Sequence, residues 1–221
     1  DNIAPRYDLL NHLLSANVDK GWRKKAIKEL EKVNPEEVLD IATGTGDLAL
    51  QIASSLPVKK VVAADISGQM LEIGRQKARK AKLDEVISFQ KTDSENMPFA
   101  DATFDAVTVA FGVRNFENPL KGLKEMHRVL KPGGKVVVLE FSKPEPFLVK
   151  SVFHLYFKYI LPFIGKILSK DNRAYTYLYE SVSVFPEKQD FVKLLEEAGY
   201  NKCTWRSLTF GICALYTGYR S

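Results

Sequence analysis

Val38-Leu39-Asp40-Ile41-Ala42-Thr43-Gly44-Thr45-Gly46-Asp47 joins a short apolar run to a turn built on two glycines. The apolar half reads as a buried strand, and a helix is expected over about 46–55. Glycine permits the tight turn and lets a ligand approach the backbone closely. The first N–H groups of the helix have no partners within it and can bind polar ligand groups. Val61-Val62-Ala63-Ala64 repeats the strand signal and ends at Asp65, about 20 residues beyond the loop. There a carboxylate can accept hydrogen bonds from both hydroxyls of a ribose. Strand, glycine loop, helix, strand and terminal acid together predict a nucleotide site on a parallel sheet.

The same alternation extends outward in both directions. Helices are expected over 5–14 and 19–32, with Asn34-Pro35 ending the second. A charged amphipathic helix is expected over 67–82. Strands follow at Val86–Gln90 and Phe104–Phe111, a helix over 118–130, and a fifth strand at Val136–Leu139. Such β-α repetition implies a mainly parallel sheet covered by helices on both faces. Residues 141–181 break the pattern, holding ten of the chain's 24 aromatic residues. They read as an inserted helical cap. A helix over 187–198 and strands over 200–208 and 212–219 complete the chain. The short link at Phe210-Gly211 favours an antiparallel pair.

At 221 residues the chain fits one domain, 1–221, with a helical lid over about 1–34 and an aromatic cap over about 145–182. Hydrophobic residues make up 45% and charged residues 27%, which excludes disorder and disulfide scaffolds. No apolar run reaches the roughly 18 residues needed to span a bilayer. No secretory apolar region opens the sequence; since it begins at Asp1, that says little about a leader. Cys203 and Cys213 lack metal-ligand spacing and suit a reducing, cytoplasmic setting. His12, His127 and His154 are scattered, so no metal site is expected. The net charge of +5 is spread along the chain and fits ordinary solubility as well as attraction to an anionic surface.

Gly44-Thr45-Gly46-Asp47-Leu48-Ala49 also fits the loose dinucleotide pattern, and Asp65 suits NAD equally. Three features favour S-adenosylmethionine instead. Asp40, near the end of the first strand, can organise the loop around a cationic amino-acid end. The final antiparallel pair departs from a plain dinucleotide fold. Asp93-Ser94, after the third strand, can read an adenine amino group.

Val38 to Leu48, Asp65 and Asp93 to Phe99 resemble the cofactor motifs of class I S-adenosylmethionine-dependent methyltransferases, whose sheet is Rossmann-like. Tyr7-Asp8-Leu9-Leu10-Asn11, with Ser15 and Trp22, resembles the N-terminal signature of the ubiquinone/menaquinone biosynthesis C-methyltransferase family. Phe111-Gly112-Val113-Arg114-Asn115 is similar to its motif after strand four. Arg128 to Gly134, continuing through Leu139-Glu140-Phe141-Ser142-Lys143-Pro144, is similar to its second signature. Tyr177 to Ser181 and Leu208 to Gly211 extend the likeness over nearly the whole chain. The family usually has His four residues after its Ser; here Asp19 stands there, which leaves a base at that position in doubt and suits a cap.

The resemblance implies methylation of a ring carbon in a reduced polyprenyl quinone precursor, with demethylmenaquinol preferred. A 2-methoxy-6-polyprenyl-1,4-benzoquinol, alone or as well, is the alternative. It also implies that Gly44, Thr45, Gly46, Asp65, Asp93 and Ser94 bind S-adenosylmethionine. Arg114 and Asn115, at the carboxyl edge of strand four, and Tyr7, on the lid, are the expected catalytic residues. Arg114 would stabilise a quinolate or hold a water, since guanidinium stays protonated. The plainer readings are a salt bridge for Arg114, a turn cap for Asp93 and packing for Tyr7 and His154. The aromatics of 147–179 suit a prenyl tail, and Lys150, Lys158, Lys166 and Lys170 suit anionic headgroups at the inner face of a membrane. The plainer reading is a cap core with a solvated face. An oligomer is compatible with all of this.

Competing classes are a methyltransferase of sterols or phenols, an RNA-binding module and an oxidoreductase. The stretches at 7–22, 111–115 and 128–144 count against the first. No basic helix or RNA-binding aromatic signature supports the second, so no nucleic-acid partner is expected.

Overall fold

The structure, a computed structural model, describes residues 18–144, 181–182 and 184–221. Seven strands form one sheet in the order β3-β2-β1-β4-β5-β7-β6. They are β1 (Glu37–Ile41), β2 (Lys60–Asp65), β3 (Ile87–Lys91), β4 (Phe104–Ala110), β5 (Leu130–Phe141), β6 (Asn201–Leu208) and β7 (Cys213–Tyr219). The first five run parallel to one another. β7 is antiparallel to both β5 and β6, as the short Phe210-Gly211 link predicts.

Side chains of successive strand residues leave opposite faces of the sheet, and both faces are covered. Val61 and Ala63 of β2 face one core, and Val62 and Ala64 the other. Val137 and Leu139 of β5 divide from Val136 and Val138 in the same way. Helices α1 (Asp19–Leu30), α2 (Asp47–Ser55) and α3 (Gly68–Ala81) place apolar residues in the first core. Helices α4 (Pro119–Val129) and α5 (Gln189–Glu197) supply the second. This two-sided burial explains why the strands read as continuous apolar runs rather than alternating ones.

Local chemistry sets the helix ends. The Ser67 hydroxyl accepts from the Met70 amide at the start of α3. Asn118 does the same for Lys121 at the start of α4, where Pro119 occupies the first helical position. Asn34 adopts φ 44° and stops the 3₁₀ turn Glu31–Val33 that extends α1, so the helix ends slightly before the expected 32.

Two strand boundaries differ from expectation for a clear physical reason. β4 stops at Ala110 because Phe111 turns to φ 60°, a conformation disfavoured for a bulky side chain. β5 begins at Leu130 rather than Val136. The Gly133 amide donates to the Arg220 carbonyl, and the Arg220 amide returns a bond to the Gly134 carbonyl. Gly133 itself turns to φ 79°, and pairing with Arg220, just after β7, holds the turn-prone Lys131-Pro132-Gly133-Gly134 within β5. The expected helix over 5–14 and the aromatic cap lie outside the described residues, apart from Ser181 and Val182.

Candidate active site

The carboxyl ends of β1, β2, β3 and β4 surround a cavity of about 510 Å³. It lies where ligands bind in open α/β sheets. Gly44, Asp65, Asp93, Ser94 and Asn115 line it, as expected from the sequence. So do Asp40, Thr43 and Asp47 of the loop region, Met70 of α3, and Arg23 of α1.

The loop folds as its sequence demands. Gly44 and Gly46 adopt φ 58° and φ 81°. A Cβ on Gly46 would also lie 3.0 Å from the Phe89 ring, so conformation and space both favour glycine there. Asp65 holds the loop from outside. One carboxylate oxygen accepts from the Gly44 amide at 2.9 Å, the other from the Ser67 amide at 2.8 Å. A carboxylate has lone pairs for about four acceptor bonds, which leaves capacity for ribose hydroxyls.

Asp40 lies at the cavity's base, 1% exposed. The Thr108 hydroxyl donates to one of its oxygens at 2.6 Å and the Thr43 hydroxyl to the other at 2.5 Å. Burial pushes its carboxyl up to about 6, while these two bonds pull the other way. Such a group is poised to ionise when a cation arrives. Asp93 is exposed on the opposite wall and accepts from the Glu95 amide at 2.9 Å. The turn cap and the cavity position coexist at this residue.

Three expected contacts fall elsewhere. Thr45 is buried outside the cavity wall, its hydroxyl accepting from Lys77 Nζ at 2.6 Å. Gly46 lies behind the loop against Phe89. Both shape the loop from beneath. Arg114 does not line the cavity either. Its Nη1 donates to the Phe111 carbonyl and to Glu140 Oε1, each at 2.5 Å. A guanidinium so engaged positions the backbone at the end of β4. The salt-bridge reading of Arg114 is the one this geometry favours. Tyr7 and His154 lie outside the described residues.

Trp22, Phe111 and Phe141 form an aromatic cluster beside the cavity. Trp22 and Phe111 have ring centroids 5.9 Å apart, and Phe111 and Phe141 4.6 Å. The Trp22 indole N–H donates to the Thr209 hydroxyl at 2.8 Å, tying α1 to the β6–β7 turn. Asp19 takes no position in the cavity wall; it is buried and paired with Arg23 at 2.6 Å.

The residues present fit S-adenosylmethionine. Asp65 suits ribose, Asp93 and Ser94 suit adenine, and Asp40 suits a cationic amino-acid end. Arg23 Nε is a buried donor with no partner among the described residues, a bond that a ligand can complete.

Fold and site together define a class I S-adenosylmethionine-dependent methyltransferase. Over all of this chain and 97% of its own, a methyltransferase structure from Thermotoga maritima superposes with a TM-score of 0.67 at 18% identity. Residues 1–220 match the ubiE/COQ5 methyltransferase family, and the chain belongs to it. A Bacteroides fragilis protein named demethylmenaquinone methyltransferase is 48% identical over 217 residues, covering 98% of this chain and 89% of its own. A Geotalea daltonii protein named ubiquinone/menaquinone biosynthesis C-methyltransferase UbiE is 45% identical, covering 99% and 93%.

The sequence reading missed Arg23, Asp47 and Met70 as wall residues. Asp47 directly follows the glycine loop, and that adjacency was a usable signal. Arg23 opens the basic run Arg23-Lys24-Lys25, which resembles a solvated face; only Arg23 of the three is buried.

Proposed function

We propose that this protein methylates a ring carbon of demethylmenaquinol to give menaquinol. One observation carries the reading. The cavity combines a cofactor half, at Asp40, Asp65 and Asp93, with a half formed by Phe111, Asn115 and Phe116 at the end of β4. The chain around it is nearly half identical to a protein named for this reaction.

When bound, S-adenosylmethionine supplies an electrophilic methyl on its sulfonium. The chain's residues supply position and dryness. Asp65 and the glycine loop fix the nucleoside, and Asp40 fixes the amino-acid end. Asn115, exposed in the wall, hydrogen-bonds a quinol hydroxyl in this reading. The aromatic cluster gives a flat ring an apolar neighbour and keeps water away. A ring carbon next to a deprotonating hydroxyl is nucleophilic enough to take the methyl. One carbon–carbon bond forms as the methyl–sulfur bond breaks, its electron pair leaving on sulfur to give S-adenosylhomocysteine, and the ring carbon then loses its proton to restore the aromatic ring. Tyr7 remains part of this proposal as a second hydroxyl partner, delivered by the N-terminal segment.

A benzoquinol of the ubiquinone route is the second reading, favoured by the name of the Geotalea relative. A prenylated substrate also supports a cytoplasmic enzyme that touches the inner face of a membrane through the lysines of 150–170. Among the described residues, no helix is long and apolar enough to cross a membrane. The test is chromatographic: the purified protein, given demethylmenaquinol and S-adenosylmethionine, should form menaquinol. Cofactor binding without product would overturn the reading.

A further inference from the structure

We propose that Arg23 receives the carboxylate at the amino-acid end of S-adenosylmethionine, and that Asp19 holds Arg23 in place for it. The inference rests on S-adenosylmethionine being the cosubstrate and is independent of which quinol is methylated.

Arg23 is 6% exposed and lines the cavity. Its three nitrogens are unequally engaged. Nη1 donates to Asp19 Oδ2 at 2.6 Å. Nη2 lies 3.7 Å from Asp47 Oδ2, beyond hydrogen-bond length. Nε is buried with no hydrogen-bond partner among the described residues. The unfilled edge is therefore Nε with Nη2. Two parallel N–H groups on one side of a guanidinium match the two oxygens of a carboxylate. Arg23 lines the cavity, and a planar anion is the ligand group that matches this edge.

The neighbouring charges fit the rest of the amino-acid end. Arg23 is close enough to Asp40 to favour its ionised form, so a cation site and an anion site stand side by side. Lys77 Nζ donates to Asp47 Oδ1 at 2.8 Å, which offsets the repulsion Asp47 would exert on an incoming carboxylate. With Asp40 ionised, Asp19, Arg23, Asp40, Asp47 and Lys77 sum to −1, and S-adenosylmethionine, with its sulfonium, amino and carboxyl groups, carries +1. The ligand can enter without leaving an uncompensated buried charge.

Asp19 is the residue that departs from the family signature. It sits one helical turn before Arg23, at the i, i+4 spacing that brings side chains together. Its carboxylate fixes the Nη1 corner and so presents the opposite edge to the cavity. Asp19 is thus a positioning residue, acting through Arg23.

The test is calorimetric titration with three ligands: S-adenosylmethionine, its decarboxylated form, and 5′-methylthioadenosine. Wild type should bind S-adenosylmethionine at least about tenfold more tightly than the decarboxylated form. Arg23→Met should weaken S-adenosylmethionine by roughly 10- to 100-fold, the range for hydrogen bonds to charged groups. It should leave the other two ligands within about threefold, because neither carries the carboxylate. Arg23→Lys should restore part of the difference, and Asp19→Asn should reduce it by a smaller factor. Equal loss of all three ligands in Arg23→Met would overturn the proposal in favour of a purely structural Arg23. If that variant fails to fold, the wild-type comparison and Arg23→Lys decide. Equal wild-type affinity with and without the carboxylate would overturn the proposal while the cofactor site stands. Failure of wild type to bind any of the three would remove the cofactor reading along with it.

Discussion

Arg114 and Glu140 meet at 2.5 Å with side chains 1% and 0% exposed. The same carboxylate also accepts from the Phe141 amide at 2.9 Å, and the guanidinium lies 5.4 Å from the Phe141 ring centroid. The pair thus locks the carboxyl end of β5 to the turn that carries Asn115 into the cavity. Removing one partner leaves the other charge buried and alone. Arg114→Met should therefore cost about 3–5 kcal/mol of stability, and the double variant Arg114→Met/Glu140→Leu should recover much of it. Denaturant unfolding checks this. A stable, fully active Arg114→Met enzyme would remove the positioning role.

Asp40 links stability and cofactor binding through pH. Its folded value of about 6 lies above the ordinary 3.8, so protonated Asp40 favours folding below about pH 4. That contribution is lost as pH rises through about 6. Asp40→Asn should make the cofactor-free protein more stable at pH 7.5, by something on the order of 1–3 kcal/mol. The gain should vanish near pH 4. Cofactor affinity of the wild type should fall as pH drops below about 6, and the Asn variant should bind weakly with no such slope. Thermal melts and titrations across pH 4–8 read both effects; parallel pH profiles for the two proteins would contradict them.

Asp65 should matter chiefly to affinity. Asp65→Asn retains an acceptor for one backbone amide but removes the charged partner of the ribose. A loss of roughly 10- to 100-fold in S-adenosylmethionine affinity is expected. Turnover at saturating cofactor should change much less. A variant with normal affinity and lost turnover would show that Asp65 works on the reacting end instead.

Trp22 anchors α1 to the sheet. It is 2% exposed and packs on Phe111 and Phe141. Trp22→Ala should cost about 3–5 kcal/mol. Thr209→Val, which removes only the hydrogen-bond acceptor, should cost about 1 kcal/mol. Equal costs in denaturant unfolding would mean that packing is not the main contribution.

The sheet was legible because its strands carry buried apolar runs and its turns carry glycine and proline. Val61–Ala64 and Val136–Leu139 needed no knowledge of their partners. The start of β5 was hidden because Lys131-Pro132-Gly133-Gly134 has turn chemistry, with Gly133 at φ 79°, and pairing with Arg220, far along the chain, holds it in the sheet. Half of the site was legible for the same local reason: Asp65 ends a strand, and Gly44 and Asp93 closely follow one. Arg114 also follows a strand, yet its direction is set by Glu140, 26 residues later. Arg23 was invisible because burial of one residue in a basic run depends on how the helix is turned against the loop. Spacing records which residues reach the edge of a sheet; it does not record which of them turn inward.

The central claim is methyl transfer to a naphthoquinol ring carbon. The most direct measurement supplies methyl-labelled S-adenosylmethionine with matched panels of reduced prenylated naphthoquinols and benzoquinols, and locates the label by mass spectrometry. Label on the ring carbon of demethylmenaquinol is the predicted result. Label in benzoquinols alone, or in neither ring despite cofactor binding, would contradict it.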